Sequence, residues 1–198
     1  ISLPMGGSCS GTSKCGPNGM VCVASVYFAE DFGNPQGWKT DNEWAFGPTS
    51  ASNGQTMGNG DPAMDRTPTA DNKIAGVVLG GNASNETHEP YYLTSKVIDI
   101  NKNTPVFLSY WRWLNSDLAP AMIDTVEVTT NGQVWTLIWT NTGTSIADNS
   151  WVLQTFDLAQ YKSATFQFRF GVEVTVGGPI VSSWNVDDIT IASCPVMP

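Results

Sequence analysis

From residue 21 onward the chain is a succession of short runs rich in Val, Ile, Thr, Phe, Tyr and Trp. They read VCVASVYFAEDF, NEWAFG, KIAGVVLG, PYYLTSKVIDI, TPVFLSYWRW, MIDTVEVTT, QVWTLIWT, SWVLQTFDL, ATFQFRFGVEVTV and IVSSWNVDDITI. Turn signals such as TNGQ and VGGP separate several of them. None sustains the 3.6-residue apolar period of an amphipathic helix, and only DLAQY after Phe156 reads as a helical turn. About ten strands without helices predict an all-β sandwich or barrel. With 41% apolar and only 14% charged residues, the chain belongs among folded rather than disordered proteins.

Residues 1–20, ISLPMGGSCSGTSKCGPNGM, lack periodicity and are rich in Gly, Ser and Cys. They read as an arm tied down by cysteines, ahead of one β-domain over 21–194. The stretch 33–72 is full of Gly, Asn, Asp and Pro. A loop of that length inside a compact domain is usually functional or partly disordered.

A formal net charge of −9 opposes a phosphate backbone or an anionic membrane, so nucleic acid is excluded as a partner. No apolar run is long enough to insert in a membrane. The four cysteines, Cys9, Cys15, Cys22 and Cys194, include no CxxC, and His88 is the only histidine, which rules out zinc-type spacing. An even count of this kind predicts two disulfides and an oxidising, extracytoplasmic setting. Beginning at Ile1 without a signal-like segment, the chain is expected to be a processed, mature form or a trimmed one.

Side chains alternate between the faces of a strand, so parity assigns each residue a side. In WNVDDITI, Asp187 shares a side with Ile189 and Ile191, and Asp188 with Trp184 and Val186. Glu30 shares a side with Val26, Phe28 and Phe32, and Asp124 with Met122, Val126 and Val128. Acids from three distant segments thus fall on apolar faces. An ionised carboxylate buried alone is very costly, so such groups pair, take a proton or hold a metal. Arginines are few, namely Arg66, Arg112 and Arg169, and oxygen-only ligation is what Ca²⁺ prefers. The alternative for each acid is a strand end facing water.

Nothing here composes a nucleophilic active site. His88 lies in the polar turn NETHEP, and no Gly-x-Ser-x-Gly turn occurs. Glu30 and Asp187 could act as a glycosidase pair only in an open cleft, so the chain is expected to be non-catalytic. Trp44, Trp139, Tyr91 and Tyr92 stand near strand ends or loops, where a ring can stack on a sugar or anchor a protein contact. Trp38, Trp111, Trp135, Trp151 and Trp184 sit within strand patterns and are expected in the core. NASNET carries glycosylation sequons at Asn82 and Asn85.

In order along the chain, FAEDFGNPQGW, LGGN, YYLTSKVIDI, PVFLSYWRW, DTVEVTTNGQVW, SWVLQTFDL, FQFRFG and WNVDDITI follow one another. This succession, over about 21–191, resembles the secreted jelly-roll domains of the cleaved-adhesin or choice-of-anchor J type. These include gingipain adhesin modules and are similar in pattern to MAM domains. The resemblance implies a jelly-roll β-sandwich of two antiparallel sheets, stabilised by calcium and non-catalytic. It places the metal at Glu30 of EDF with Asp187 and Asp188 of WNVDDI. A second acidic loop of the family matches KTDNEW, giving Asp41 and Asn42, although this version is shorter and poorer in Asp.

If the first and last strands pair antiparallel with Glu30 near Asp187, Cys22 falls close to Cys194. The expected bridges are then Cys22–Cys194 and Cys9–Cys15, one of three connectivities open to four cysteines. The leading expectation is a secreted or cell-surface, calcium-stabilised module that binds a glycan or a surface protein. The alternative is a structural subunit that joins copies of itself into a filament or surface layer by donating ISLPM of the arm to an open sheet edge.

Overall fold

A computed structural model describes residues 24–196 except 68. All ten runs form strands, and two short strands join them. In order they are β1 (Val26–Glu30), β2 (Lys39–Thr40), β3 (Trp44–Pro48), β4 (Lys73–Val77), β5 (His88–Thr94) and β6 (Phe107–Ser116). There follow β7 (Met122–Thr129), β8 (Thr136–Thr140), β9 (Ile146–Ala147), β10 (Val152–Asp157), β11 (Gln167–Val174) and β12 (Trp184–Ala192). A 3₁₀ turn, Ala159–Tyr161, occupies the place where DLAQY suggested one.

The strands make two antiparallel sheets, the arrangement of a jelly roll. The larger runs β10-β6-β12-β4-β3, with β1 also on β12 and β9 also on β6; the smaller runs β2-β5-β11-β7-β8. Inward-facing residues of both sheets fill the space between them: Leu108, Tyr110 and Leu114 of β6 meet Phe168, Phe170 and Val172 of β11. Phe170 is the hub, 5.5 Å from Trp184 and 4.8 Å from Tyr110, each at a steep interplanar angle. Edge-to-face contacts of this kind add to the burial of the rings themselves.

β12 departs from simple alternation. Its first half pairs with β4 through Asn185 and Val186, and its second half pairs with β1 from Ile189 onward. At the handover the register with β6 slips between Asp187 and Thr190, and Asp188 takes a left-handed backbone, φ 48°. A bulge inserts residues into one strand and resets its parity. Trp184, Val186, Ile189 and Ile191 therefore all reach the core, which strict alternation through Asp187 and Asp188 forbade. The expected sides of these two acids are corrected accordingly. Glu30 lies opposite Ile189 rather than Asp187.

The 49–72 segment is laid over the outer face of the larger sheet. The Trp113 indole donates to Gly60 O at 3.0 Å, Trp151 to Met64 O at 3.3 Å, and the Asn59 amide to Asn115 Oδ1 at 2.6 Å. The face is thus roofed by backbone hydrogen-bonded to strand side chains, which explains a long polar stretch in a compact domain. Cys9, Cys15 and Cys22 lie outside the described residues, and so do both expected bridges and the arm.

Asp124 faces the interior, as its parity required, and both carboxylate oxygens are buried without a hydrogen-bond partner. Burial pushes its pKa up to about 7, against the pull of the Ser116 hydroxyl and the Arg112 guanidinium. The folded state thus holds this proton more tightly than the unfolded chain, whose carboxyl titrates near pH 4. Stability from this group is full below about pH 4 and is lost as pH rises through about 7. Asp124→Asn, a neutral side chain of equal size, is therefore expected to raise the unfolding free energy measured by urea titration above pH 7, by about 1–3 kcal/mol. The gain should shrink toward zero near pH 4. A loss of stability above pH 7 would show that the carboxylate has a partner the charge requires.

Candidate functional site

The bulge in β12 opens a groove of about 420 Å³ against the end of β1, lined by Glu30, Asp31, Arg66, Thr67, Trp111 and Asp188 among others. Behind it, Asp187 is buried and accepts two backbone N–H bonds, from Arg66 (2.9 Å) and from Asp188 (2.8 Å). Asp188 accepts from the Thr67 hydroxyl. The Arg66 guanidinium lies 3.8 Å over the Trp111 ring, a cation–π contact. The bulge thus holds the 65–67 segment by its two carboxylates, and that segment holds the bulge.

The electrostatics are strained in one direction. Burial pushes Asp187 up to about 7, and the neighbouring Asp188 and Asp65 add to the push against the backbone N–H bonds. Asp188 is raised too, first by burial; Thr67 and Arg66 work against this, while Asp65 and Asp31 add to it. Asp65 is buried, with Oδ2 accepting from Thr69 and Oδ1 left without a partner. Glu30 is fully engaged, Oε1 with the Phe32 amide (3.0 Å) and Oε2 with the Trp38 indole (2.9 Å).

Of the residues expected to hold a metal, Glu30, Asp187 and Asp188 gather here. Asp31 and Asp65 join them, neither of which the sequence pattern singled out. Asp124 does not: it faces the core between the sheets, whereas Asp187 faces the outer segment. Asp41 is exposed and accepts from the Tyr92 amide at 3.0 Å, which ties β2 to β5, and Asn42 is exposed beside it. Among the described residues, no trio of His, Cys, Asp or Glu side chains forms a ready metal cage. The groove lining does carry the carboxylates of Glu30, Asp31 and Asp188, and Asp65, outside that lining, holds a buried oxygen without a partner. Calcium's shell of six to eight oxygens would draw on backbone carbonyls and water as well.

The aromatic expectations are partly exchanged. Trp44 is buried at 4% exposure, packs on Phe170 and Trp184, and donates its indole N–H to Tyr91 O; it is a core residue and no platform. Trp139 is half-buried against Trp184. Tyr91 stacks on His88 at 4.1 Å with its ring packed against the core. Trp111, Trp135 and Trp151, expected inside, are absent from the core. Trp111 lies within β6, and Trp135 and Trp151 immediately precede β8 and β10.

Trp135 and Tyr92 instead flank one guanidinium. Arg169 lies 3.6 Å over Tyr92 and 4.1 Å over Trp135, and pairs with Glu127 at 2.6 Å. β5, β11 and β7 bring these side chains side by side, since Arg169 stands opposite Glu127 in register. Gly171 makes room for the tyrosine: a Cβ there would meet the Tyr92 ring at 2.6 Å. All three stacked residues are half-buried, so part of each stays with solvent. The signal for this stack was strand parity, which puts Tyr92, Arg169 and Glu127 on outward positions.

No protein-family model and no curated protein matches the sequence. Solved structures share its fold. The K1 cleaved adhesin domain of Lys-gingipain from Porphyromonas gingivalis W83 superposes with a TM-score of 0.50 at 16% identity, over 83% of this chain and 96% of that one. SGBP-B from a complex xyloglucan utilization locus in Bacteroides uniformis gives 0.50 at 10% identity, over 83% and 49%. The CBM22-1 xylan-binding domain of Paenibacillus barcinonensis Xyn10C gives 0.45 at 12% identity, over 88% and 97%. The jelly-roll expectation is met, and identities this low speak for the fold alone.

A raised carboxylate destabilises the fold in its charged form. In calcium-free buffer, stability attributable to Asp187 is complete below about pH 4 and is lost as pH climbs through about 7. Urea midpoints should therefore rise on acidification from about pH 8 to pH 5. Asp187→Asn should make that slope shallower, and an unchanged slope would contradict the assignment.

Proposed function

We propose that this chain is a non-catalytic extracellular binding module, stabilised by calcium at the β12 bulge, that attaches to glycan or to a surface protein. The observation that carries the binding reading is the Tyr92–Arg169–Trp135 stack on the smaller sheet. Aromatic rings with a fixed guanidinium between them offer flat apolar surface and directed N–H donors together, which suits the alternating faces and hydroxyls of a sugar. Arg169 is held in place by Glu127, so it need not be ordered when a ligand arrives. An adhesin domain and a protein of a xyloglucan locus share the fold, which is in keeping with this reading, although fold assigns no ligand. Among the described residues, no helix is long and apolar enough to cross a membrane.

Calcium enters as the counter-charge for the acids of the bulge. Glu30, Asp31, Asp65 and Asp188 bring negative charge to one place, with Arg66 as the cationic side chain at the groove. Assembly through the N-terminal arm is the second reading. It turns on residues outside the described range, and size-exclusion chromatography with electron microscopy of the full chain decides it.

Two outcomes are expected. On a glycan array the chain should be retained, and Trp135→Ala should weaken retention at least tenfold, about 1.4 kcal/mol, while the melting temperature stays within a few degrees. Equal retention of the variant would remove the stack from the binding site. Calcium at about 100 times its dissociation constant should stabilise the chain by about 2.7 kcal/mol over chelator-treated protein. Asp188→Asn should lose most of that gain; the same melting temperature with and without calcium would refute the ion.

A further inference from the structure

The longest charge-free run of the sequence, residues 128–147, contains the whole of β8. The chain around it carries a formal net charge of −9. Within the run stands VWTLIWT, Val134 to Thr140, seven residues of high β-propensity without Pro, Gly or charge. β8 ends the smaller sheet and pairs with β7 alone. Alternate N–H and C=O groups of such an edge strand point away from its one neighbour. Among the described residues, no other backbone segment hydrogen-bonds to residues 136–140.

The other sheet edges are guarded by short length, charge or proline, the devices that keep a sheet from pairing with a foreign strand. β2 and β9 are two residues long, and β2 opens on Lys39. β3 ends in Pro48, β1 in Glu30 and β10 in Asp157. β8 has no such guard. Apolar side chains stand out beside it instead, Val134 at 67% exposure and Leu137 at 51%.

The net charge of the chain opposes the approach of a second copy. At β8 two copies meet without a charge on either strand, and antiparallel pairing lets one strand serve as its own partner. Two strands already extended also have little left to order. The ISLPM segment of the arm is equally uncharged, but it breaks its own ladder at Pro4, which has no N–H to give. We propose that β8 is a self-association edge, which pairs antiparallel with β8 of a second copy and joins two five-stranded sheets into one. The two-fold axis of such a pair stands perpendicular to the sheet, so both outer faces look the same way. Leu137 lies opposite Glu127, the partner of Arg169, and Trp135 directly precedes the strand. The dimer thus sets two Tyr92–Arg169–Trp135 stacks on one side of a continuous sheet, where a repeating ligand can engage both. This last consequence rests on the proposed binding function; the pairing does not.

Sedimentation velocity of the full chain over a concentration series tests the edge, with no glycan present, so the outcome is read apart from glycan retention. A contact this small belongs to the transient class. Monomer should give way to dimer as concentration rises, and assembly should stop there, because a two-fold contact closes on itself. Leu137→Lys and Thr136→Lys each put a charge on an exposed position of the strand. Each should weaken dimerisation about tenfold or more, with a melting temperature within a few degrees of the wild type. Amide exchange at residues 136–140 should slow with concentration in the wild-type chain and in neither variant. If neither variant folds, the wild-type exchange decides. A chain that stays monomeric up to about 1 mM overturns the proposal. So do dimers that persist in both variants, and so do open-ended species, which would mark head-to-tail donation of the arm.

Discussion

The bulge at Asp187 and Asp188 is the constraint on which the larger sheet depends. β12 must serve β4 along its first half and β1 along its second, with β6 beside it throughout. A regular strand cannot make that handover and still place Trp184, Val186, Ile189 and Ile191 in one core, because alternation across an odd interval would turn two of them outward. The extra residue resets the phase, and Asp188 absorbs the geometry in a left-handed backbone that aspartate tolerates better than most side chains. What looks like a flaw in an apolar strand is the device that lets one strand close the sandwich.

The same event explains the acidity outside. Residues displaced from alternation need partners on the outer side, and the roof supplies them: the Arg66 amide for Asp187 and the Thr67 hydroxyl for Asp188. Further along the strand Asn185 meets Asp61, and across on β6 Asn115 and Trp113 meet the 59–60 backbone. The roof is thus bound to the sheet by polar contacts rather than by an apolar stripe. Such contacts specify position strongly, but carboxylates at this density repel one another as they are buried, and the proposed calcium would relieve that repulsion without disturbing the hydrogen bonds.

Strands and their order were legible because each run carries its own β-branched and aromatic residues between turn signals. Parity also placed Asp124 correctly in the interior. It failed where alternation failed: no residue in WNVDDITI announces that the phase resets after Val186, so the sides of Asp187 and Asp188 were misread. Tryptophans were sorted poorly for a related reason. Trp44 heads a short strand and points inward, whereas Trp135 precedes β8 and folds over Arg169. A position near a strand end does not say which way a ring will turn. Asp61 and Asp65 sit in aperiodic sequence, and nothing local announces their burial: Asp61 meets Ser183 and Asn185 more than a hundred residues away, and Asp65, held by Thr69 and Asn72, lies near enough to the bulge to raise the Asp187 pKa.

With the proposed calcium bound, the bulge and the roof form one cation-steadied unit. Amide hydrogen exchange of the Arg66 and Asp188 N–H groups, both donors to Asp187, reads that unit without depending on the ligand the domain binds. Calcium should slow exchange at these two amides far more than at β7 and β11 in the opposite sheet. Equal protection at Arg66 and Asp188 with and without calcium would contradict it.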